Sequence, residues 1–200
     1  MRQRQKLPLV IINRWHALNK ELGLRFTVSE AATAQLFTAK LIESGYCKPT
    51  DLCPESFYLD GENAWRRIDL LIGKDMLFET GKKRTERAQR IQSAIEMKVE
   101  SAAITLKPTH IELDCEKLER FAREQLKDRK GFSMFALFRA KTSHLEMKGF
   151  WKAQSLKNKN VRIVICFPGD GGIETHHYHA GNFWDLGKND GNFYRGWELP

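Results

Sequence analysis

The apolar positions change rhythm along the chain, and each rhythm predicts an element. Pro8 suits a first helical turn and Gly23 a stop, so a helix over 8–22 is expected. Thr27-Val28-Ser29-Glu30 has the form of a capping box. The helix behind it should run to Ser44 and end at Gly45, with Ala31, Ala34, Leu36, Phe37, Leu41 and Ile42 on its apolar face. Residues 47–55, CKPTDLCPE, read as a loop. Residues 56–73 then read as two extended runs about a turn at Gly61–Asn63. After a charged stretch whose end is a short helix or a loop, Ser93–Glu100 alternates apolar with charged residues as a third strand.

Further on, Asp114 is placed to cap a helix. Leu118, Phe121, Ala122 and Leu126 have helical spacing, and Gly131 marks the stop. FSMFALFRA (132–140) predicts a fourth strand and VRIVICF (161–167) a fifth. The tail beyond Pro168, rich in Gly, Asn and aromatics, follows no assignable period. Helix, three strands, helix, strand is an α/β (α+β) order, which suggests a mixed central β-sheet flanked by helices. At 200 residues the expectation is a single domain over 1–200. Its core would cover 27–140, with an N-terminal helical extension over 1–26 and a C-terminal extension over 141–200.

Composition adds a charge argument. The net charge is +8, which favours an anionic partner. The excess is uneven: residues 1–50 hold eight Lys/Arg against three acids, but residues 51–100 hold nine against ten. A metal-binding pocket within a cationic surface would have this pattern, and so would a random scatter of surface charge. Cys47, Cys53, Cys115 and Cys166 form no Cys-x-x-Cys pair, which predicts reduced thiols and a cytoplasmic protein. The early apolar run Leu7–Ile12 is too short to span a bilayer, so no membrane partner is expected.

The candidate chemistry lies in that acidic quarter. Glu96 and Lys98 are two apart in a strand and share one face, with Ile95, Met97 and Val99 on the other. Asp69 sits in the preceding run, with Ile68, Leu70 and Ile72 expected on the face opposite its own. If the two strands are adjacent, the three charged groups converge. Two carboxylates and the Met97 carbonyl are the hard oxygen donors that Mg²⁺ or Mn²⁺ prefers. Glu-x-Lys alone carries little information, with about 0.7 matches expected by chance in this length, and a second copy occurs at Glu146-Met147-Lys148. Context separates them, because SHLEMKGFWKAQ lacks a β-branched run and reads as helix or loop.

Asp69 followed by Glu96-Met97-Lys98, on strands within that element order, resembles the PD-(D/E)xK nuclease superfamily, which has a restriction-endonuclease-like core of order αβββαβ. The similarity covers roughly residues 27–140. Ile68 stands where the superfamily's name has proline. The resemblance implies an Mg²⁺- or Mn²⁺-dependent endonuclease acting on DNA, with Asp69 and Glu96 as metal ligands and Lys98 as the catalytic lysine. It also implies a further acid on the first helix, for which Glu43 and Glu30 are candidates, Glu43 being nearer the strands in sequence. Cutting two strands would call for a homodimer.

Other groups are weighed beside it. Lys82, Lys83, Arg84, Arg87 and Arg90 lie between the acids and would contact phosphates, or form a solvated loop. His176, His177 and His179 offer imidazoles for a metal or a phosphate, against a structural role. Trp184 and Trp197 offer faces for bases, against packing. Two alternatives to a nuclease follow from the same residues. One is an inactive nucleic-acid-binding module of this fold; the other is an interaction protein whose strand carries Glu96 and Lys98 as solvated cross-strand charges.

Overall fold

In a computed structural model of the chain, residues 7–22, 29–45, 47–59, 65–76, 90–100, 106–126, 131–138, 146–169 and 172–185 are described. They form helices α1 (Leu7–Leu22), α2 (Glu30–Glu43), α3 (Pro108–Gln125) and α4 (Lys148–Lys157). The strands are β1 (Leu52–Leu59), β2 (Trp65–Gly73), β3 (Ile91–Val99), β4 (Phe132–Phe138), β5 (Val161–Gly169), β6 (Gly172–His179) and β7 (Asn182–Asp185). All seven strands lie in one sheet in chain order. The sheet is mixed: β1–β2–β3 and β5–β6–β7 run antiparallel, while β3, β4 and β5 run parallel.

Both faces of the sheet are covered. On one, Ile11, Ile12, Trp15 and Leu18 of α1 and Phe37 and Leu41 of α2 pack over Leu70, Ile95, Met97, Met134 and Val164. On the other, Ile111, Leu118 and Phe121 of α3 and Trp151 of α4 pack over Ala94, Phe135, Ile163 and Ile165. The parallel strands are therefore sealed between two helical layers, and β5 is buried from Val161 through Phe167. This explains its apolar run from Ile163 to Phe167, which a strand with one wet face would not have.

Each covering helix begins where local chemistry dictates. Ser29 caps α2, its side chain accepting from the Ala32 N–H at 3.2 Å; Glu30 is thus the first helical residue, and the helix starts two residues later than a capping box at Thr27 would put it. α3 starts six residues before the expected cap, because Pro108 stands in its first turn behind Lys107. Proline there gives up only an N–H that the first turn leaves unpaired in any case. Asp114 is consequently mid-helix. The expected loop at 47–55 holds a 3-10 turn (Pro49–Asp51) and the first residues of β1. β1 is an edge strand, where Pro54 can do without a ladder N–H. β3 begins two residues earlier than expected, at Ile91, and the unassigned tail supplies the β6–β7 hairpin.

The segments expected as extensions are built into this one sheet: α1 lies on its face, and β5–β7 continue it. Among the described residues, no helix is long and apolar enough to cross a membrane.

Candidate functional site

The site forms where two strands stop pairing. The β2–β3 ladder runs from Gly73↔Ile91 to Leu70↔Ile95 and ends there. The next step would set Asp69 against Glu96. On the other side of β2, pairing with β1 also skips Asp69: Pro54 meets Leu70 and Ser56 meets Ile68, while the intervening Glu55 adopts φ +50°. Residue alternation breaks at the same point. Leu70 and Ile72 pack under α1 and α2, as expected, but Ile68 packs with Leu71 under α3 and α4. The face expected for Ile68 is thus corrected: β2 twists about Asp69.

That twist turns Asp69 toward β3. Its Oδ2 accepts the Met97 N–H at 2.8 Å, in the place a strand carbonyl would have taken. In a strand the N–H and C=O of one residue point to the same side, so the Met97 carbonyl also faces the β2 side. Asp69 is buried at 7% exposure and Glu96 at 1%. Burial pushes the Glu96 carboxyl up to about 8, with the Asp69 charge adding to it; Lys117 acts in the opposite sense. Glu96 and Lys98 share a face as expected, with Ile95, Met97 and Val99 on the other.

From Glu96 a chain of alternating charges leads outward. Lys117 Nζ lies 2.8 Å from Glu96 Oε1 and 3.4 Å from Asp114 Oδ1. The first contact is a short, charge-assisted one between a buried carboxylate and a partly exposed ammonium. Asp114 Oδ2 then lies 3.5 Å from Lys98 Nζ, which is 3.5 Å from Glu30 Oε2. Burial lowers the proton affinity of Lys98, but Asp114, Glu30, Asp69 and Glu96 outweigh it and hold the ammonium above its ordinary value. The outer end opens into a cleft of about 310 Å³ lined by Glu30, Lys98, Leu106, His110, Leu113 and Asp114. Glu100, itself buried, accepts from the Leu106 N–H at 2.9 Å and so fixes one wall.

Asp69, Glu96, Met97 and Lys98 are thus brought together. Glu43 is not with them: it pairs with Lys40 at 3.0 Å near the C-terminal end of α2, whereas Glu30 at the N-terminal end reaches Lys98. Nearness in sequence misled here, because α2 runs its start, not its end, toward β3's C-terminal end. Lys117 and Asp114 were missed. Their three-residue spacing on a helix facing the Glu-x-Lys strand is the signal, and the misplaced helix start hid it. Lys82, Lys83, Arg84 and Arg87 lie outside the described residues. Arg90 stands at the mouth of β3, with its Nη1 3.5 Å from the Asp75 carbonyl.

Among the described residues, no group of three or more His, Cys, Asp or Glu side chains converges to hold a metal. Asp69 and Glu96 are near enough for the charge of one to raise the carboxyl of the other, and both are oxygen donors. The histidines belong to packing instead. His176 is edge-on to Phe167 and Phe183. Burial, with Arg162 nearby, drives His177 well below the ordinary imidazole value and His179 down to about 4, so both are neutral near pH 7. Trp197 lies outside the described residues, as does the side chain of Trp184.

What the fold defines is an α+β class with a seven-stranded mixed sheet and, among the described residues, four helices. No protein-family model, curated protein or solved structure matches the chain.

Proposed function

We propose that the protein is a metal-dependent nuclease that hydrolyses phosphodiester bonds in DNA, built on a restriction-endonuclease-like core. The observation that carries this reading is the turn of Asp69 onto the Met97 N–H beside Glu96, with Lys98 next along the strand. A strand pair with solvated charges would have continued its ladder through these positions. The order α2–β1–β2–β3–α3–β4, with β3 and β4 parallel, supports the same reading. So does the net charge of +8.

Asp69, Glu96 and the Met97 carbonyl would hold Mg²⁺ or Mn²⁺; such an ion keeps several waters and needs only one or two protein carboxylates. When bound, it supplies a polarised phosphoryl oxygen and a water of lowered pKa. Lys98, charged and held between Asp114 and Glu30, orients the attacking water and balances negative charge on the phosphate. Lys82, Lys83, Arg84, Arg87 and Arg90 add salt-sensitive phosphate contacts. Plasmid and oligonucleotide DNA incubated with Mg²⁺ or Mn²⁺ should be cut by the wild type and spared by Glu96→Ala and Lys98→Ala. Equal cleavage by all three proteins points to a contaminant and removes the proposal.

A second reading is an inactive nucleic-acid-binding module. It is favoured by the Lys117 ammonium, which already offsets the Glu96 charge without a metal. Salt-dependent DNA retention with no metal-dependent cleavage would select it.

A further inference from the structure

The Lys117 contact raises a question of occupancy. Its ammonium stands 2.8 Å from Glu96 Oε1, an oxygen of the carboxylate that the metal reading would offer to an ion. Glu96 is 1% exposed, so nothing approaches that oxygen from solvent while Lys117 covers it. Lys117 is itself 24% exposed at the side chain, which leaves its flexible stem a way out. It also has somewhere to go. Asp114, one helical turn back, already lies 3.4 Å away through Oδ1 while its Oδ2 faces Lys98.

Resting on the metal reading above, we infer that Lys117 is the resident counter-cation of this site, and that a divalent ion reaches Glu96 only by displacing it. An ammonium and a divalent ion on one carboxylate oxygen repel at short range in a poorly solvated pocket. Asp69, Glu96, Asp114 and Glu30 together offer up to four negative charges against the two of Lys98 and Lys117, so a divalent ion brings the group toward balance while both lysines stay paired with acids. Lys117 is therefore a positioning residue that sets the threshold for metal, and its ammonium shifts onto Asp114 when metal arrives.

The test is calorimetric titration of Mn²⁺ into the wild type, Lys117→Met and Lys117→Arg, with thermal melts to verify folding. Lys117→Met should bind roughly tenfold tighter or more, since it loses the competing charge, and Lys117→Arg should not. Equal affinity in wild type and Lys117→Met overturns the inference while leaving the metal reading intact. Equal tightening by Lys117→Arg overturns it too, since charge would not then be what competes. No binding by any of the three folded proteins removes the metal reading and this inference together. A second measurement needs no variant. In the wild type, the NMR signal of the Lys117 ammonium should shift and exchange faster with water as diamagnetic Mg²⁺ is added; an unchanged signal at saturation overturns the displacement.

Discussion

Glu96→Gln, which swaps a buried acid for a neutral isostere, isolates the cost of keeping a carboxyl at this site. Glu96 is 1% exposed, and burial together with Asp69 carries its pKa from 4.5 to about 8. The sign follows from proton binding. Between these two values the folded chain holds a proton on Glu96 that the unfolded chain has lost. Stability therefore falls as pH rises from about 4.5, and the loss is complete once pH passes the folded value near 8. At about 1.4 kcal/mol per pKa unit, an ionised Glu96 costs the fold about 3 to 5 kcal/mol. That is a large share of the 5–15 kcal/mol typical of a domain. Glutamine has no such titration, and Lys117 keeps Asp114 as a partner. Urea unfolding in chelator from pH 5 to 9 should give nearly equal stabilities near pH 5. By pH 8.5, Glu96→Gln should lead by about 3 to 5 kcal/mol. Other titrating groups are common to both proteins and cancel in the difference. Parallel stability curves would refute the reasoning, since they would mean that Glu96 ionises as readily when folded as when unfolded.

Asp69→Asn removes the neighbouring charge but keeps an oxygen for the Met97 N–H, so the Glu96 pKa should move down and its pH slope shorten; the same unfolding series reads this. Asp69→Ala leaves that buried N–H without its acceptor and should cost about 1–3 kcal/mol, with faster exchange of the Met97 amide by NMR. Phe37, fully buried and edge-on to Trp15 at 5.0 Å, joins α2 to α1; Phe37→Ala should cost about 3–5 kcal/mol by denaturant titration. On the acid side, burial and Lys20 hold His16 down to about 4. The unfolded chain then binds a proton there that the fold refuses, so stability is lost as pH falls from about 6.5 toward 4, and His16→Gln should flatten that limb of the pH–stability curve.

Much of the fold was legible along the chain because its signals are local. The Leu7–Leu22 and Glu30–Glu43 helices follow from a proline, a capping motif that lies within two residues of the true cap, and apolar spacing, and β4 and β5 follow from their apolar runs. Glu96 and Lys98 on one face followed from period two alone, since every strand obeys it. Local signals failed where two competed. At the start of α3, Asp114 looked like a cap, but Pro108 offers an earlier local start, and the packing of Ile111 and Cys115 under the sheet favours it.

The site itself was half legible. Its residue types could be named from spacing, but their meeting depends on where the β2–β3 ladder ends, and register is a property of two strands and the layers that bury them. The twist at Asp69 places Ile68 under one helical layer and Leu70 under the other, which no single strand's alternation encodes. Lys117, Asp114 and Glu30 joined for the same reason: a helix fixes which residues share its own face, but only its packing angle on the sheet decides whose charges that face will meet.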